Sequence, residues 1–162
     1  MSWLDIRLIL FDIDGVLTDG KAAYNEKGEV ISKTYNQKDI TGLRRLKNEL
    51  NINVALFSGS LDINPAFAKR RKFPFLHVNH SKGENKSQKL NDICFDFNTP
   101  ASQVGFVGDD IQDLEIMKRV GFAFCPEDAI PEIKRISCVL PVKGGEGVAA
   151  HLFEYLSNSN KL

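Results

Sequence analysis

Nothing in the 162 residues reads as a membrane span: no apolar run approaches the roughly 18 residues that crossing a bilayer takes. Charge of one sign is missing too. Lys and Arg number 21 and Asp and Glu number 21, a formal net charge of 0, so the basic surplus or stripe of a nucleic-acid binder is absent. Cysteine is scarce: Cys94, Cys125 and Cys138 are an odd number with no CxxC spacing. They are read as reduced core residues of a cytosolic protein. The opening stretch MSWLDIRLILFDID places an acid before its apolar run and has no small-residue cleavage site, so a signal peptide is not expected. No internal repeat, low-complexity tract or linker interrupts the chain. What is present is a 43% hydrophobic content, enough for a buried core and, with low net charge, unfavourable to disorder. At roughly 100–200 residues per domain this predicts one cytoplasmic α/β domain over 1–157, with 158–162 as a flexible tail.

Four short apolar runs have the character of buried strands: Ile6–Phe11, Asn53–Phe57, Phe75–Val78 and Val104–Val107. Gly121–Cys125 and Cys138–Leu140 supply a fifth and a sixth. Between them, Ile40, Leu43, Leu46 and Leu50 recur at helical spacing, as do Leu114, Met117 and Val120. Ser87–Cys94 and Val148–Leu156 suit helices as well. Strand alternating with helix predicts a doubly wound parallel sheet. Residues Lys21–Tyr35 break the rhythm, with two extended stretches around Asn25-Glu26-Lys27-Gly28, and predict a β-hairpin inserted after the first strand.

Acids cluster where strands end. Asp12-Ile13-Asp14-Gly15 follows the first strand, and Gly108-Asp109-Asp110 with Asp113 follows the fourth. Each has a bland reading: solvated turn aspartates for the first pair, a helix cap and dipole partner for Asp110 and Asp113. Neither explains two acid clusters at one edge of a sheet, which is where open α/β sheets bind ligands. Converging carboxylates repel unless a cation lies between them, and all-oxygen ligation suits Mg²⁺. Ser58-Gly59-Ser60 after the second strand offers a hydroxyl and backbone N–H groups to an anion. Lys86, near a helix start, is either a solvated charge or the neutraliser of a phosphoryl group.

In this order, Asp-x-Asp-Gly, Ser-Gly, Lys and Gly-Asp-Asp-x-x-Asp, the chain resembles the haloacid dehalogenase-like hydrolases over nearly its whole length. FDIDGVLTDG, YNQKDITGLRRL, VGFVGDDIQDLEIMKRVG and PVKGGEGVAAHLFEYL resemble most closely the small phosphatases of 3-deoxy-ulosonate sugars. The resemblance implies a Rossmann-like sheet and a Mg²⁺-dependent phosphatase. Asp12 is then the nucleophile that forms an aspartyl-phosphate, and Asp14 the acid that protonates the leaving oxygen and later activates water. Asp12, the Asp14 carbonyl and Asp109 would bind the metal, with Asp110 and Asp113 orienting them and Ser58, Gly59 and Lys86 cradling the phosphoryl group. Asn36, Lys38, Asp39 and Arg44 match substrate-contact positions, with Ile40 where a glycine is usual. The implied substrate is a small acidic sugar phosphate, 3-deoxy-D-manno-octulosonate 8-phosphate or a nonulosonate 9-phosphate.

The gaps from Asp14 to Ser58 and from Ser58 to Lys86 are too short for a cap domain, so the resemblance implies a homotetramer in which neighbours complete the pocket. Two departures bear on the substrate. Ser60 and Glu146 stand where the family often has arginines, and neither grips a carboxylate bidentately; Lys69, Arg70 or Arg71 would have to compensate. Other readings are weaker. A catalytically weak oligomerisation or regulatory module linked to acid-sugar activation would be expected to lose the key acids, and a response-regulator receiver orders its acids and lysine differently. His77 and His80 suit packing or surface roles better than a metal site.

Overall fold

The computed structural model describes residues 2–159. Its strands and helices run in chain order as β1 (Leu8–Phe11), β2 (Ala23–Tyr24), β3 (Val30–Ser32), α1 (Gln37–Glu49), β4 (Asn53–Ser58), α2 (Asn64–Arg71) and β5 (Phe75–His77). There follow α3 (Leu90–Asp96), β6 (Val104–Val107), α4 (Leu114–Met117), β7 (Phe122–Pro126), α5 (Pro131–Lys134), β8 (Cys138–Leu140) and α6 (Val148–Ser159). Six strands form one parallel sheet in the order β5-β4-β1-β6-β7-β8. This is the expected doubly wound α/β architecture.

β1 shows why the sheet is covered on both faces. Its side chains alternate, so Ile9 and Phe11 join one apolar layer with Leu43, Leu46, Leu152 and Leu156, the layer under α1 and α6. Leu8 and Leu10 join the opposite layer with Leu90, Ile93, Ile116 and Ile133, from α3, α4 and α5. β1 is thereby buried throughout, which is what an uninterrupted apolar run requires of a strand. On one side the chain moves from β1 to β4 and β5, on the other to β6, β7 and β8. The direction of winding changes at β1, and the crevice this opens lies at the carboxyl ends of β4, β1 and β6.

The sequence-derived boundaries move where local capping is stronger than the apolar pattern. The first strand starts at Leu8 because Trp3–Asp5 forms a 3₁₀ turn capped by Ser2. Lys86–Lys89 is likewise a 3₁₀ turn before α3, and Ile111–Asp113 one before α4, which ends at Met117 rather than reaching Val120. α5 has no counterpart in the sequence reading. The hairpin is present: β2 and β3 pair antiparallel, with a register shift between Ala23 and Tyr24. α6 runs on through Ser159, so the tail expected from 158 begins as helix, and 160–162 lie outside the described residues. All three cysteines are free, Cys125 buried and the other two half-buried.

α1 and α6 pack closely, and Gly42 permits it. A Cβ there would lie 2.4 Å from the Ala150 nitrogen, a distance no packed side chain tolerates. Asp39 ties the same pair together: it is 2% exposed, and its Oδ1 accepts a hydrogen bond from the Ala149 N–H at 2.7 Å.

Candidate active site

The turn after β1 delivers two carboxylates. The Asp12 N–H donates to the Val107 carbonyl at 2.9 Å, continuing the β1–β6 ladder one residue past the strand. The chain then curls back, with the Leu17 and Thr18 N–H groups both donating to the Ile13 carbonyl. Gly15 sits in this curl at φ +91°, and a Cβ on it would lie 2.0 Å from Asp109 Oδ2. Only glycine lets the loop after β6 bring Asp109 up to the loop after β1.

Lys86 is the hinge of the charge arrangement. Its Nζ donates to Asp12 Oδ1 at 2.6 Å and to Asp113 Oδ1 at 2.7 Å, with the lysine side chain only 3% exposed. Both Asp113 oxygens are engaged, since its Oδ2 accepts from the Asp109 and Asp110 N–H groups. Asp113 therefore braces the loop and the lysine. Asp109 is different: its Oδ1 is buried and has no hydrogen-bond partner.

Carboxylate oxygens of Asp12, Asp109 and Asp113 all lie within 4.8 Å of one another, against one lysine. Burial pushes Asp12 up to about 7, with Lys86 opposing and the Asp113 charge adding to the rise. Burial also pushes Asp109 up, to about 8, and the charges of Asp12, Asp113 and Asp110 act in the same direction. For Lys86, burial works against the charge, but Asp12 and Asp113 outweigh it and hold the group above its ordinary range. With one lysine among them, the protein alone disfavours ionising these carboxyls together, which is the setting a bound cation relieves. An unpartnered carboxylate oxygen, a second carboxylate beside it and an all-oxygen donor set fit a hard divalent cation, Mg²⁺ above others.

Asp14 stands apart from this cluster and has its own partners. Its Oδ1 pairs with Lys33 Nζ at 2.8 Å and its Oδ2 accepts from Asn64 Nδ2 at 2.8 Å. The same Asn64 amide donates to Ser58 Oγ at 3.0 Å, and Ser58 Oγ also accepts from the Ser60 N–H. None of Lys33, Tyr35, Asp62 and Asn64 was singled out from the sequence.

A cavity of about 330 Å³ opens here, lined by Asp12, Asp14, Ser58, Gly59, Ser60, His80, Lys86, Asp110, Gln112 and Asp113. His80 and Gln112 are further residues that the sequence reading did not place at a site. The expected substrate contacts lie elsewhere in this subunit. Asn36 caps α1 by accepting from the Lys38 N–H and donates to the Gly145 carbonyl. Asp39 is the buried cap of α6 already described. Lys38 lines a separate groove between α1 and α6, and Arg44 is exposed. None of Lys69, Arg70 and Arg71 lines the cavity of this subunit.

Comparison with known proteins completes the picture. The family described as haloacid dehalogenase-like hydrolase matches residues 44–152. The 3-deoxy-D-manno-octulosonate 8-phosphate phosphatase KdsC of Salmonella typhi is 30% identical over 154 residues, spanning 94% of this chain and 79% of its own length. The chain belongs to the haloacid dehalogenase-like hydrolases. The hydrolase family and the phosphatase named at 30% identity make it a phosphatase, and its own carboxylate cluster suits a Mg²⁺ cofactor. The cobalt-bound deoxy-D-mannose-octulosonate 8-phosphate phosphatase of Haemophilus influenzae superposes with a TM-score of 0.89 at 26% identity, covering 99% of this chain and 92% of its own. The Moraxella catarrhalis 3-deoxy-D-manno-octulosonate 8-phosphate phosphatase, solved with magnesium ion, phosphate ion and a KDO molecule, shares the fold at a TM-score of 0.86 and 24% identity, covering 97% and 88%. The family match begins after Asp12 and Asp14, whereas the Salmonella typhi relative is matched over 94% of this chain.

Proposed function

We propose that the protein hydrolyses the phosphomonoester of a small acidic sugar through an aspartyl-phosphate on Asp12. The observation that carries this reading is the meeting of Asp12, Asp109 and Asp113 around one buried lysine, with Ser58 and Asp14 on the rim of the same cavity. Lys86 fixes one Asp12 oxygen and prevents the carboxylate from rotating, so the group is oriented before a phosphoryl group arrives. A carboxylate attacking a phosphate must overcome like-charge repulsion. Lys86, the Ser58 hydroxyl and the N–H groups beside it offset that charge on the phosphoryl oxygens.

Asp12, Asp109 and the Asp14 carbonyl would hold Mg²⁺, which when bound neutralises charge on the reacting phosphoryl group. Asp14 would protonate the departing sugar oxygen as the Asp12–phosphorus bond forms and the ester bond breaks. It would then take a proton from the water that attacks phosphorus and releases Asp12. An acid-sugar phosphate, 3-deoxy-D-manno-octulosonate 8-phosphate or a nonulosonate 9-phosphate, is supported by the named activities of the relatives. Ser60 in place of an arginine favours a substrate whose carboxylate is gripped from outside this subunit. Tyr24 and Ile31 on the hairpin, each at least 60% exposed, support a homotetramer joined through the hairpins. Among the described residues no helix is long and apolar enough to cross a membrane, and the proposed location is the cytoplasm.

The test is phosphate release from a panel of octulosonate 8-phosphate, nonulosonate 9-phosphates and hexose phosphates. The expected result is Mg²⁺-dependent turnover strongest on one acid sugar, abolished by EDTA and by Asp12→Asn. Full activity in Asp12→Asn would overturn the nucleophile.

A further inference from the structure

We propose that Lys33, Asn64 and Tyr35 form a cradle that positions Asp14 for proton transfer, with Asp62 anchoring Lys33; the inference rests on the acid/base reading of Asp14. Both Asp14 oxygens are tied, one to Lys33 Nζ and one to Asn64 Nδ2, each at 2.8 Å. Lys33 is itself held by Asp62 at 2.8 Å, and its side chain is only 5% exposed.

The Asn64 amide has one possible orientation. Its Oδ1 faces Lys33 Nζ at 3.3 Å and the Tyr35 hydroxyl at 2.7 Å. An ammonium has only donors, so the oxygen must face it and the NH₂ must face Asp14 and Ser58. Tyr35 is fixed in turn by stacking on Phe67, ring centroids 3.7 Å apart and planes 9° from parallel. The cradle is thus assembled from the end of β3, the start of α1 and the start of α2.

A carboxylate offers about four lone-pair directions. Lys33 and Asn64 occupy two, one on each oxygen, and leave two for the leaving oxygen and the attacking water. Burying a lysine and an amide beside a half-buried carboxylate is a poor way to stabilise a fold, since apolar residues of the same volume do as well or better. It is an effective way to hold a proton-transfer group at one place, where a misplacement of about 1 Å costs on the order of a hundredfold. Asn64 also links the acid to the Ser58 hydroxyl, so the two ends of the phosphoryl site keep one spacing.

The test uses the full-length Mg²⁺-loaded enzyme with p-nitrophenyl, phenyl and p-methoxyphenyl phosphates, reading kcat/KM for the wild type, Asp14→Asn, Lys33→Met, Lys33→Arg and Tyr35→Phe. Proton donation matters more as the leaving oxygen becomes more basic. Lys33→Met should therefore lose at least tenfold more on phenyl than on p-nitrophenyl phosphate, as Asp14→Asn does. Lys33→Arg should recover part of the difference, and Tyr35→Phe, which removes one hydroxyl and leaves the stacked ring, should show a smaller effect in the same direction. Equal losses on all three esters, or none, in Lys33→Met beside a selective loss in Asp14→Asn would overturn the cradle and leave the acid standing. No selective loss in Asp14→Asn would overturn the acid role and the inference with it, and so would a wild type that hydrolyses no phosphate ester.

Discussion

Removing the Lys86 charge while keeping its stem tests whether the site is a strained collection of carboxylates. Lys86→Met leaves Asp12 and Asp113 facing each other with no cation between them. At the observed separations of 2.6 and 2.7 Å, each pair is attracted by roughly 6 kcal/mol in an effective dielectric of about 20. Desolvation cancels most of that gain when the pairs form, yet deleting one partner strands the others, which costs about 3–5 kcal/mol. Phe57 and Phe106, whose rings lie 5.7 and 5.4 Å from the ammonium, offer the stranded acids no hydrogen bonds. Urea unfolding of the metal-free variant should therefore show a loss of about 3–5 kcal/mol, or a melting point lower by roughly 6–20 °C. Mg²⁺ should restore part of it, and so should adding Asp113→Asn. The variant should also lose about 10²–10³ in kcat, the usual effect of deleting one group that stabilises developing charge. A stability change under about 1 kcal/mol, with no response to the second substitution, would refute the electrostatic reasoning.

Gly15→Ala places a methyl group on Asp109 at a backbone angle that alanine resists. It should weaken Mg²⁺ binding by calorimetry and cut activity at least a hundredfold while the fold is retained by circular dichroism; unaltered Mg²⁺ affinity would contradict the fit. Burial pushes Asp39 up to about 6, with the N–H groups of Ala149, Gly147 and Ala150 opposing. Its native carboxyl thus binds a proton more tightly than the unfolded one, so its contribution is greatest below about pH 4 and is lost as pH rises through 6. Asp39→Asn keeps an acceptor for Ala149 and should gain on the wild type by up to about 3 kcal/mol between pH 4 and 7; a difference constant with pH would contradict this. Tyr24→Lys with Ile31→Lys should convert the proposed tetramer to smaller species by light scattering, and an unchanged mass would exclude the hairpin as the interface.

How far the site could be read from residue order depended on which contacts are local. Asp12 and Asp109 were legible because Asp12 directly follows an apolar run and Asp109 follows another after a single glycine, and a parallel sheet places every such end on one edge. Lys86 was legible only through its resemblance to a family pattern, since its 3₁₀ turn has no apolar periodicity of its own. Lys33 and Asn64 were not legible: they lie 19 and 50 positions from Asp14 in sequence, and nothing in their neighbours announces a buried partner. Asp39 and Asn36 show the converse. Their family-like positions suggested substrate, whereas here each caps a helix, because an acid or amide at a helix start satisfies N–H groups that otherwise have none.

The covalent role of Asp12 is the central claim, and acid-quenching the enzyme during turnover tests it most directly. Borohydride reduces an acyl phosphate on aspartate to homoserine, which peptide mass spectrometry locates. Homoserine is expected at position 12, dependent on Mg²⁺ and substrate and absent in Asp12→Asn. Reduction at another aspartate, or none while phosphate is being released, would contradict it.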